Sequence, residues 1–288
     1  MALSKPAWFK VRLPSAESYS SVASSLRRNR INTICQAARC PNRVECWSSG
    51  TATFLILGTR CTRSCLFCAV AKGNPLPVDA EEPKRLAEAT ASLNLAHVVI
   101  TSVTRDDLED GGASWFAATL AAIKETSPST TTEVLIPDFQ GSRQHLEKIF
   151  AAEPDVINHN LEVPARLYPL IGRPEANYER SLGILRQAKQ AGFITKSGLM
   201  VGLGETNDDL HDTLLDLRQA GCDLLTIGQY LQPTRNQLPV KRFYPPEEFA
   251  KLEEEARLLG FRGIVARPLV RSSYLAHELL RKARECAS

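Results

Sequence analysis

From Thr53 onward, short runs of apolar and β-branched residues alternate with longer stretches whose apolar positions recur every three or four residues. The short runs predict strands over 53–57, 97–103, 132–136, 155–159, 195–201, 223–227 and 263–265. The longer stretches predict helices near 82–92, 113–125, 142–151, 176–191, 208–220 and 246–259, three of them closed by Gly192, Gly221 and Gly260. Such repeated βα units signal a parallel sheet covered by helices. About six units fall short of the eight of a closed barrel, so the expected fold class is α/β, a partial (β/α)6 TIM-type barrel with N- and C-terminal extensions. Its open side would admit a large substrate. A doubly wound sheet is the alternative, since periodicity alone does not separate the two. The expected division is an extension over 1–50, a barrel over 51–266 and a second extension over 267–288.

Composition narrows the class without naming a function. The 288 residues are 43% hydrophobic and 23% charged, enough to bury a full core. A net charge of +3 is too small to argue for nucleic acid or membrane as a partner, and bound thiolate clusters would lower it further. No apolar run approaches the roughly 18 residues that span a bilayer, and the first residues lack a signal-peptide apolar region. A cytoplasmic protein is expected, or a stromal one after removal of a targeting peptide.

Cysteine changes the picture. Six of the eight cysteines crowd between Cys35 and Cys68, and in a reducing compartment that points to metal or catalysis rather than disulfides. Cys222 reads as a small buried hydrophobe at the entrance to an apolar run, and Cys286 in the tail carries no role. Cys61, Cys65 and Cys68 form C-x3-C-x2-C directly after the first predicted strand, where barrel active sites sit. Three thiolates with no fourth imply an open coordination site, as in a four-iron cubane with one iron free to bind a small molecule. A zinc knuckle borrowing a fourth ligand is the competing reading. Arg60, Arg63 and backbone amides would soften the charge of a thiolate-bound cluster. Upstream, Cys35, Cys40 and Cys46 form another triplet, C-x4-C-x5-C. A zinc cluster shared by both triplets is disfavoured, because the strand over 53–57 would carry them apart.

These two triplets, followed near the end by Arg271-Ser272-Ser273-Tyr274, resemble the lipoyl synthase family of the radical S-adenosylmethionine (SAM) superfamily. The resemblance covers nearly the whole chain. It extends to Val11-Arg12-Leu13-Pro14, Gly50-Thr51-Ala52-Thr53-Phe54, Ser102-Val103-Thr104-Arg105-Asp106-Asp107, Asp110-Gly111-Gly112-Ala113, Asn158-His159-Asn160-Leu161-Glu162, the stretch from Lys196 to Glu205, and Gly228-Gln229-Tyr230-Leu231-Gln232-Pro233. Any one is weak, while their order and spacing together are specific.

The resemblance implies that Cys61, Cys65 and Cys68 hold a 4Fe-4S cluster that binds and reductively cleaves SAM. It implies that Cys35, Cys40 and Cys46 hold an auxiliary 4Fe-4S cluster whose fourth ligand is Ser273. An alkoxide is harder and more labile toward iron than a thiolate, so its loss would open that cluster for sulfur donation. The implied reaction inserts sulfur at carbons six and eight of a protein-bound octanoyl-lysine. Its C–H bonds are unactivated and beyond general acid–base chemistry, so a radical and a dedicated sulfur source are needed. Implied partners are an octanoylated lipoyl domain of E2 subunits or the glycine-cleavage H protein, an electron donor such as ferredoxin or flavodoxin, and a cluster-repair carrier. Taken as bare residues, Ser272 and Ser273 read equally as caps of a helix over 275–283.

Other polar groups fall at expected strand ends. Thr104, Arg105 and Asp106 follow the second strand and Asn160 and Glu162 the fourth, where they would face the adenosyl ligand, Glu162 accepting from ribose hydroxyls. Lys196 would meet a carboxylate or be an ordinary strand-end lysine. The Gly111-Gly112 pair allows close backbone approach or a plain turn. His159 orders a loop rather than ligating metal, since no second histidine has matching spacing. Four positions depart from the family pattern: Val44 and Arg267 stand where glycine is usual, Thr59 where an acid is common, and Glu162-Val163-Pro164 lacks a customary residue type. None removes a ligand. A different two-cluster radical enzyme acting on RNA lacks the basic, aromatic appendage it would need. A non-catalytic metal-binding module is the remaining class.

Overall fold

A strand over Thr53–Ile56 begins where the apolar runs become dense, and all four of its residues are buried. The computed structural model describes residues 4–9, 16–48, 53–174 and 176–285. Val11-Arg12-Leu13-Pro14, Gly50-Thr51-Ala52 and Cys286 lie outside the described residues. Two units are formed: an N-terminal one of residues 11–64 and 69–155, and a C-terminal one of residues 156–288 together with 1–10 and 65–68.

In the N-terminal unit the order is α1 (Ala16–Arg28), β1 (Asn32–Thr33), α2 (Ile34–Ala37), α3 (Arg43–Ser48), β2 (Thr53–Ile56), β3 (Arg60–Cys61), β4 (Ala71–Lys72), α4 (Glu82–Ser92), β5 (His97–Ser102), α5 (Ala113–Thr126), β6 (Thr131–Leu135) and α6 (Arg143–Ala151). Strands β2, β5 and β6 run parallel, with Thr53 opposite Val99 and His97 opposite Thr131, and β1 adds an antiparallel edge to β2. Helix α5 packs on both α4 and α6, and Leu86 of α4, Phe116, Leu120 and Ile123 of α5, and Leu146 and Ile149 of α6 are all buried. The spacing of Phe116, Leu120 and Ile123 puts them on one face of a helix of period 3.6, which is the physical origin of the layer.

The β5–α5 corner resolves the glycine pair. Gly111 and Gly112 have φ of 62° and 92°, a left-handed conformation that disfavours a side chain. A Cβ on Gly112 would lie 2.3 Å from Leu57 Cδ1, so close approach and turn are both required. Asp110 accepts from the Gly112 and Ser114 N–H groups at 3.0 and 2.9 Å and from Lys148 Nζ at 2.8 Å. Burial opposes its ionisation, yet the bonds from Lys148 and Ser114 outweigh it and hold the carboxyl below the usual range.

The C-terminal unit continues as β7 (Val156–Asn158), α7 (Ala176–Gln190), β8 (Ile194–Val201), α8 (Asn207–Gln219), β9 (Leu224–Gln229), α9 (Pro246–Leu258), β10 (Gly263–Arg267) and α10 (Ala276–Glu285). All four strands are parallel, with Val156 opposite Ile194, Lys196 opposite Leu224 and Gly263 opposite Leu224 on its other side. Helix α8 starts at a capping box, in which Thr206 accepts from the Asp209 N–H and the Asp209 side chain accepts from the Thr206 N–H. Cys222 is fully buried in this core; desolvation first, then Asp223, pushes its thiol up to about 12.

Parallel strands and covering helices follow the expected ranges closely. The strand expected over 223–227 instead runs to Gln229, because Gly228 still pairs with Arg267 across β10. The segment expected as a plain N-terminal extension contains helices: α1 packs on α3, burying Trp47, Val22 and Leu26. No helix among the described residues is long and apolar enough to cross a membrane.

Candidate active site at two cysteine triplets

The first triplet in chain order, Cys35, Cys40 and Cys46, spans α2, the turn after it and α3. Thr33 caps α2 by accepting from the Gln36 N–H at 3.3 Å, which places Cys35, buried, in the first turn. Arg39, at φ 53°, reverses the chain, and the Cys40 N–H closes back on the Cys35 carbonyl at 3.0 Å. Cys46 follows inside α3, where its N–H bonds the Asn42 carbonyl at 2.8 Å. Val44 lies in the same helix and is not among the positive-φ residues, so no glycine is needed there. Burial first, then the fields of Cys40, Cys35 and Glu45, push the Cys46 thiol up to about 12. Three thiols whose ionised forms repel one another suit a multivalent cation or an iron cluster, which removes that repulsion.

The second triplet begins in the N-terminal unit. Both ends of the Leu57 peptide are held: its N–H by the Glu82 carboxylate at 2.8 Å, its carbonyl by Arg105 Nη1 at 3.0 Å. Cys61 lies on β3, which pairs in parallel with β4, and the Arg63 N–H approaches Cys61 Sγ at 3.4 Å. The Thr62 N–H and hydroxyl both donate to the Thr104 carbonyl, at 3.1 and 3.0 Å. Asp106 takes Arg63 in a bidentate pair at 2.8 Å for each bond, and Asp138 binds the same guanidinium at 2.6 Å. The charge of Arg63 is therefore compensated by two carboxylates rather than directed at sulfur. Thr104 and Asp106 are brought to this loop, and Arg105 to its root.

Cys65 and Cys68 belong to the C-terminal unit. Leu66 between them donates its N–H to the Ile171 carbonyl at 2.9 Å and accepts from the Leu238 N–H at 3.1 Å. Gln237 Nε2 donates to the Cys68 carbonyl at 3.4 Å. Arg173 Nε donates to Cys65 Sγ at 3.5 Å, and its Nη2 lies 3.9 Å from Glu162. Glu162, at φ 75°, is pinned to β8 by the Gly198 carbonyl and the Met200 N–H at 3.0 and 2.7 Å. Burial raises its carboxyl above the usual range, against the pull of Arg173 and Asn160. Lys196 is fully buried on β8, opposite Asn158. His159 Nε2 bonds Ser181 Oγ at 3.0 Å, the ordering role its lone spacing suggested.

The Arg-Ser-Ser-Tyr segment lies on the same unit's sheet. Ser272 Oγ is held by the Asn160 amide, with contacts of 2.7 and 2.9 Å, so this serine is engaged away from any helix cap. Small residues make room: a Cβ on Gly198 would lie 2.7 Å from Asn160 Oδ1, and one on Gly228 only 2.1 Å from the Val270 carbonyl oxygen. Ser273 follows in the half-buried turn before α10. Arg267, at the end of β10, is exposed and not among the positive-φ residues. Among the described residues, no group of three or more His, Cys, Asp or Glu is already gathered as ligands about one point. Sequence spacing missed Arg173, which meets Cys65 across 108 positions, and Asp138, which meets Arg63 across 75.

Comparison with known proteins bears on this geometry. The Radical SAM superfamily model matches residues 55–217, from β2 into α8. Solved structures share the fold: SuiB of Streptococcus suis bound to S-adenosylmethionine (TM-score 0.55, 12% identity, 82% of this chain and 52% of that one) and coproporphyrinogen III oxidase (HemN) of Escherichia coli, a radical SAM enzyme (TM-score 0.52, 16% identity, 78% and 57%). The class is thus that of radical SAM enzymes, α/β proteins of the partial (β/α) barrel type, whose defining groups are one 4Fe-4S cluster and SAM. The lipoyl synthase of Rubrobacter xylanophilus is 50% identical over 98% of this chain and 88% of its own length, and that of Caldicellulosiruptor saccharolyticus is 51% identical over 96% and 98%. At that identity over nearly full length, the chain belongs to the lipoyl synthase family.

Proposed function

We propose that the chain inserts two sulfur atoms, at carbons six and eight, into an octanoyl group carried on a lysine of another protein, producing the lipoyl cofactor. The observation that carries this is a further set of thiols outside the barrel loop: Cys35 in α2, Cys40 in the turn that closes back on it at 3.0 Å, and Cys46 in α3. A radical SAM enzyme that only generated a radical would need Cys61, Cys65 and Cys68 alone. In this proposal those three hold the 4Fe-4S cluster which, with SAM bound, supplies hydrogen-atom abstraction from an unactivated carbon. Cys35, Cys40, Cys46 and Ser273 hold the auxiliary cluster, which is consumed as the sulfur substrate.

The remaining candidates act on position and charge. Thr104 and Asp106 fix the loop of Cys61, through Thr62 and Arg63. Glu162 accepts from ribose hydroxyls and Lys196 meets a carboxylate of the bound SAM. Asn160 holds Ser272, and thereby the neighbouring Ser273. Residues 1–50 carry the auxiliary thiols, 51–266 the barrel and 267–288 the serine ligand. The carrier is an octanoylated lipoyl domain of E2 subunits or glycine-cleavage H protein, with a ferredoxin or flavodoxin as electron donor, a repair carrier to rebuild the auxiliary cluster, and the cytoplasm as compartment.

The test supplies octanoyl-lysyl peptide, SAM and a reductant anaerobically to the reconstituted protein, with mass spectrometry of the peptide. Two added sulfurs are expected. Deoxyadenosine without sulfur in the peptide would refute lipoyl synthesis and leave another radical reaction in its place.

A further inference from the structure

A cation lies against the second thiol triplet, fixed by the fold rather than by its neighbours in sequence. Arg173 Nε donates to Cys65 Sγ at 3.5 Å, and the guanidinium carbon lies 5.7 Å from the centroid of the Phe67 ring, inside the same triplet. Its side chain is 20% exposed and that of Glu162, 3.9 Å away, 14%, so water screens little of either charge. Both partners are held by backbone. The Arg173 N–H donates to the Tyr168 carbonyl at 3.0 Å, and the Tyr168 hydroxyl donates to the Leu161 carbonyl at 2.7 Å. On the thiol side, Leu66 is bonded to Ile171 and Leu238, and its side chain packs on Gly172, where a Cβ would come within 3.1 Å.

Adding an electron to a thiolate-bound cluster makes it more negative. A hydrogen bond to a ligating sulfur and a poorly screened cation stabilise that state and raise the potential, and a nearby carboxylate opposes it. Arg63 does not serve this purpose, since Asp106 and Asp138 take its charge. We propose that Arg173 is a positioning residue that raises the electron affinity of the cluster held by Cys65, with Glu162 as the opposing charge that limits it. The inference rests on the proposed assignment of Cys61, Cys65 and Cys68 as cluster ligands.

The test uses the full chain with Cys35, Cys40 and Cys46 replaced by Ala, so that one cluster remains. After anaerobic reconstitution, the reduced fraction is followed by electron paramagnetic resonance against poised potential, without SAM. Arg173→Gln is expected to lower the reduced-to-oxidised ratio at the parent midpoint about tenfold, which is 59 mV for a one-electron couple. Glu162→Gln is expected to shift the midpoint the opposite way. Arg173→Lys keeps the charge without the planar donor, so it should fall between parent and Arg173→Gln, and it carries the test should Arg173→Gln take up no cluster. Opposite signs would not arise from a merely structural role, which would lower cluster content in both variants. Unshifted midpoints, or shifts of one sign, beside a SAM-responsive cluster would overturn this inference and spare the ligand assignment. A background with no SAM-responsive cluster would overturn the assignment and the inference with it.

Discussion

The two triplets offer the same three thiols in different electrostatic settings. Cys35 and Cys46 sit on short helices with Cys40 in the turn between them, and the thiol pushed up to about 12 by burial and by its neighbours is one of their own. Around Cys61, Cys65 and Cys68 the fold instead ties arginines, Arg63 into two carboxylates and Arg173 onto a sulfur. In one set, burial and the neighbouring thiols disfavour the ionised form, which a bound cation or cluster would favour. The other is braced by residues drawn from distant parts of the chain. The contrast suits a pair in which one cluster is given up as substrate and the other must survive each turnover.

The sharpest break replaces each set separately. Alanine at Cys61, Cys65 and Cys68 should abolish both deoxyadenosine and sulfur insertion, whereas alanine at Cys35, Cys40 and Cys46 should abolish sulfur insertion and leave deoxyadenosine formation standing, both read by mass spectrometry. Loss of deoxyadenosine in the second variant would erase the distinction.

A smaller effect probes the serine side of the proposed auxiliary cluster. Gly228→Ala places a Cβ 2.1 Å from the Val270 oxygen, so it should cost about 1–3 kcal/mol in urea unfolding and displace the Ser273 turn. Ser273→Ala should reproduce the loss of sulfur insertion without the loss of stability, leaving SAM cleavage largely intact. Equal sulfur yield from Ser273→Ala would argue against it as a ligand.

Asp110 tests the support under Leu57, at the root of the second triplet. Its carboxyl is lowered in the folded state, so its stabilisation is present above the unfolded value near 3.9 and is lost as pH falls through the lower folded value. Asp110→Asn should cost about 1–2 kcal/mol at pH 7 and flatten the acid limb of the stability curve; an unchanged limb in pH-jump unfolding would count against the pairing with Lys148. The smallest effect is at Asp106→Asn. The Arg63 and Asp106 side chains are 23% and 30% exposed, so solvent discounts the pair to about 1 kcal/mol, or roughly fivefold weaker SAM binding by calorimetry, with the auxiliary triplet unaffected.

Much of this was legible in the chain. The short apolar, β-branched runs and the period-3.6 stretches located each parallel strand and its covering helix to within a residue or two, because the strands are buried on both faces and the helices on one. Both triplets and the final serine pair were visible as spacing. The helices α1 and α3 were not read, since their pairing around Trp47 is a long-range contact with no βα repeat to announce it. Arg63 was expected to soften thiolate charge, and proximity in sequence does favour it. Two carboxylates from other βα loops claim it instead.

By itself, then, the sequence determined which atoms are available: six thiols in two incomplete sets, a serine near the end, and the repeat that builds the parallel layers. Those follow from residue type and short spacing, which the backbone period converts directly into facing or opposed positions. Tertiary structure alone decided the charge around them, placing Arg173 on Cys65 from 108 positions away and Asn160 on Ser272 from 112. Electrostatic interaction falls off with distance in space and with screening, not with separation along the chain, so no local pattern encodes it.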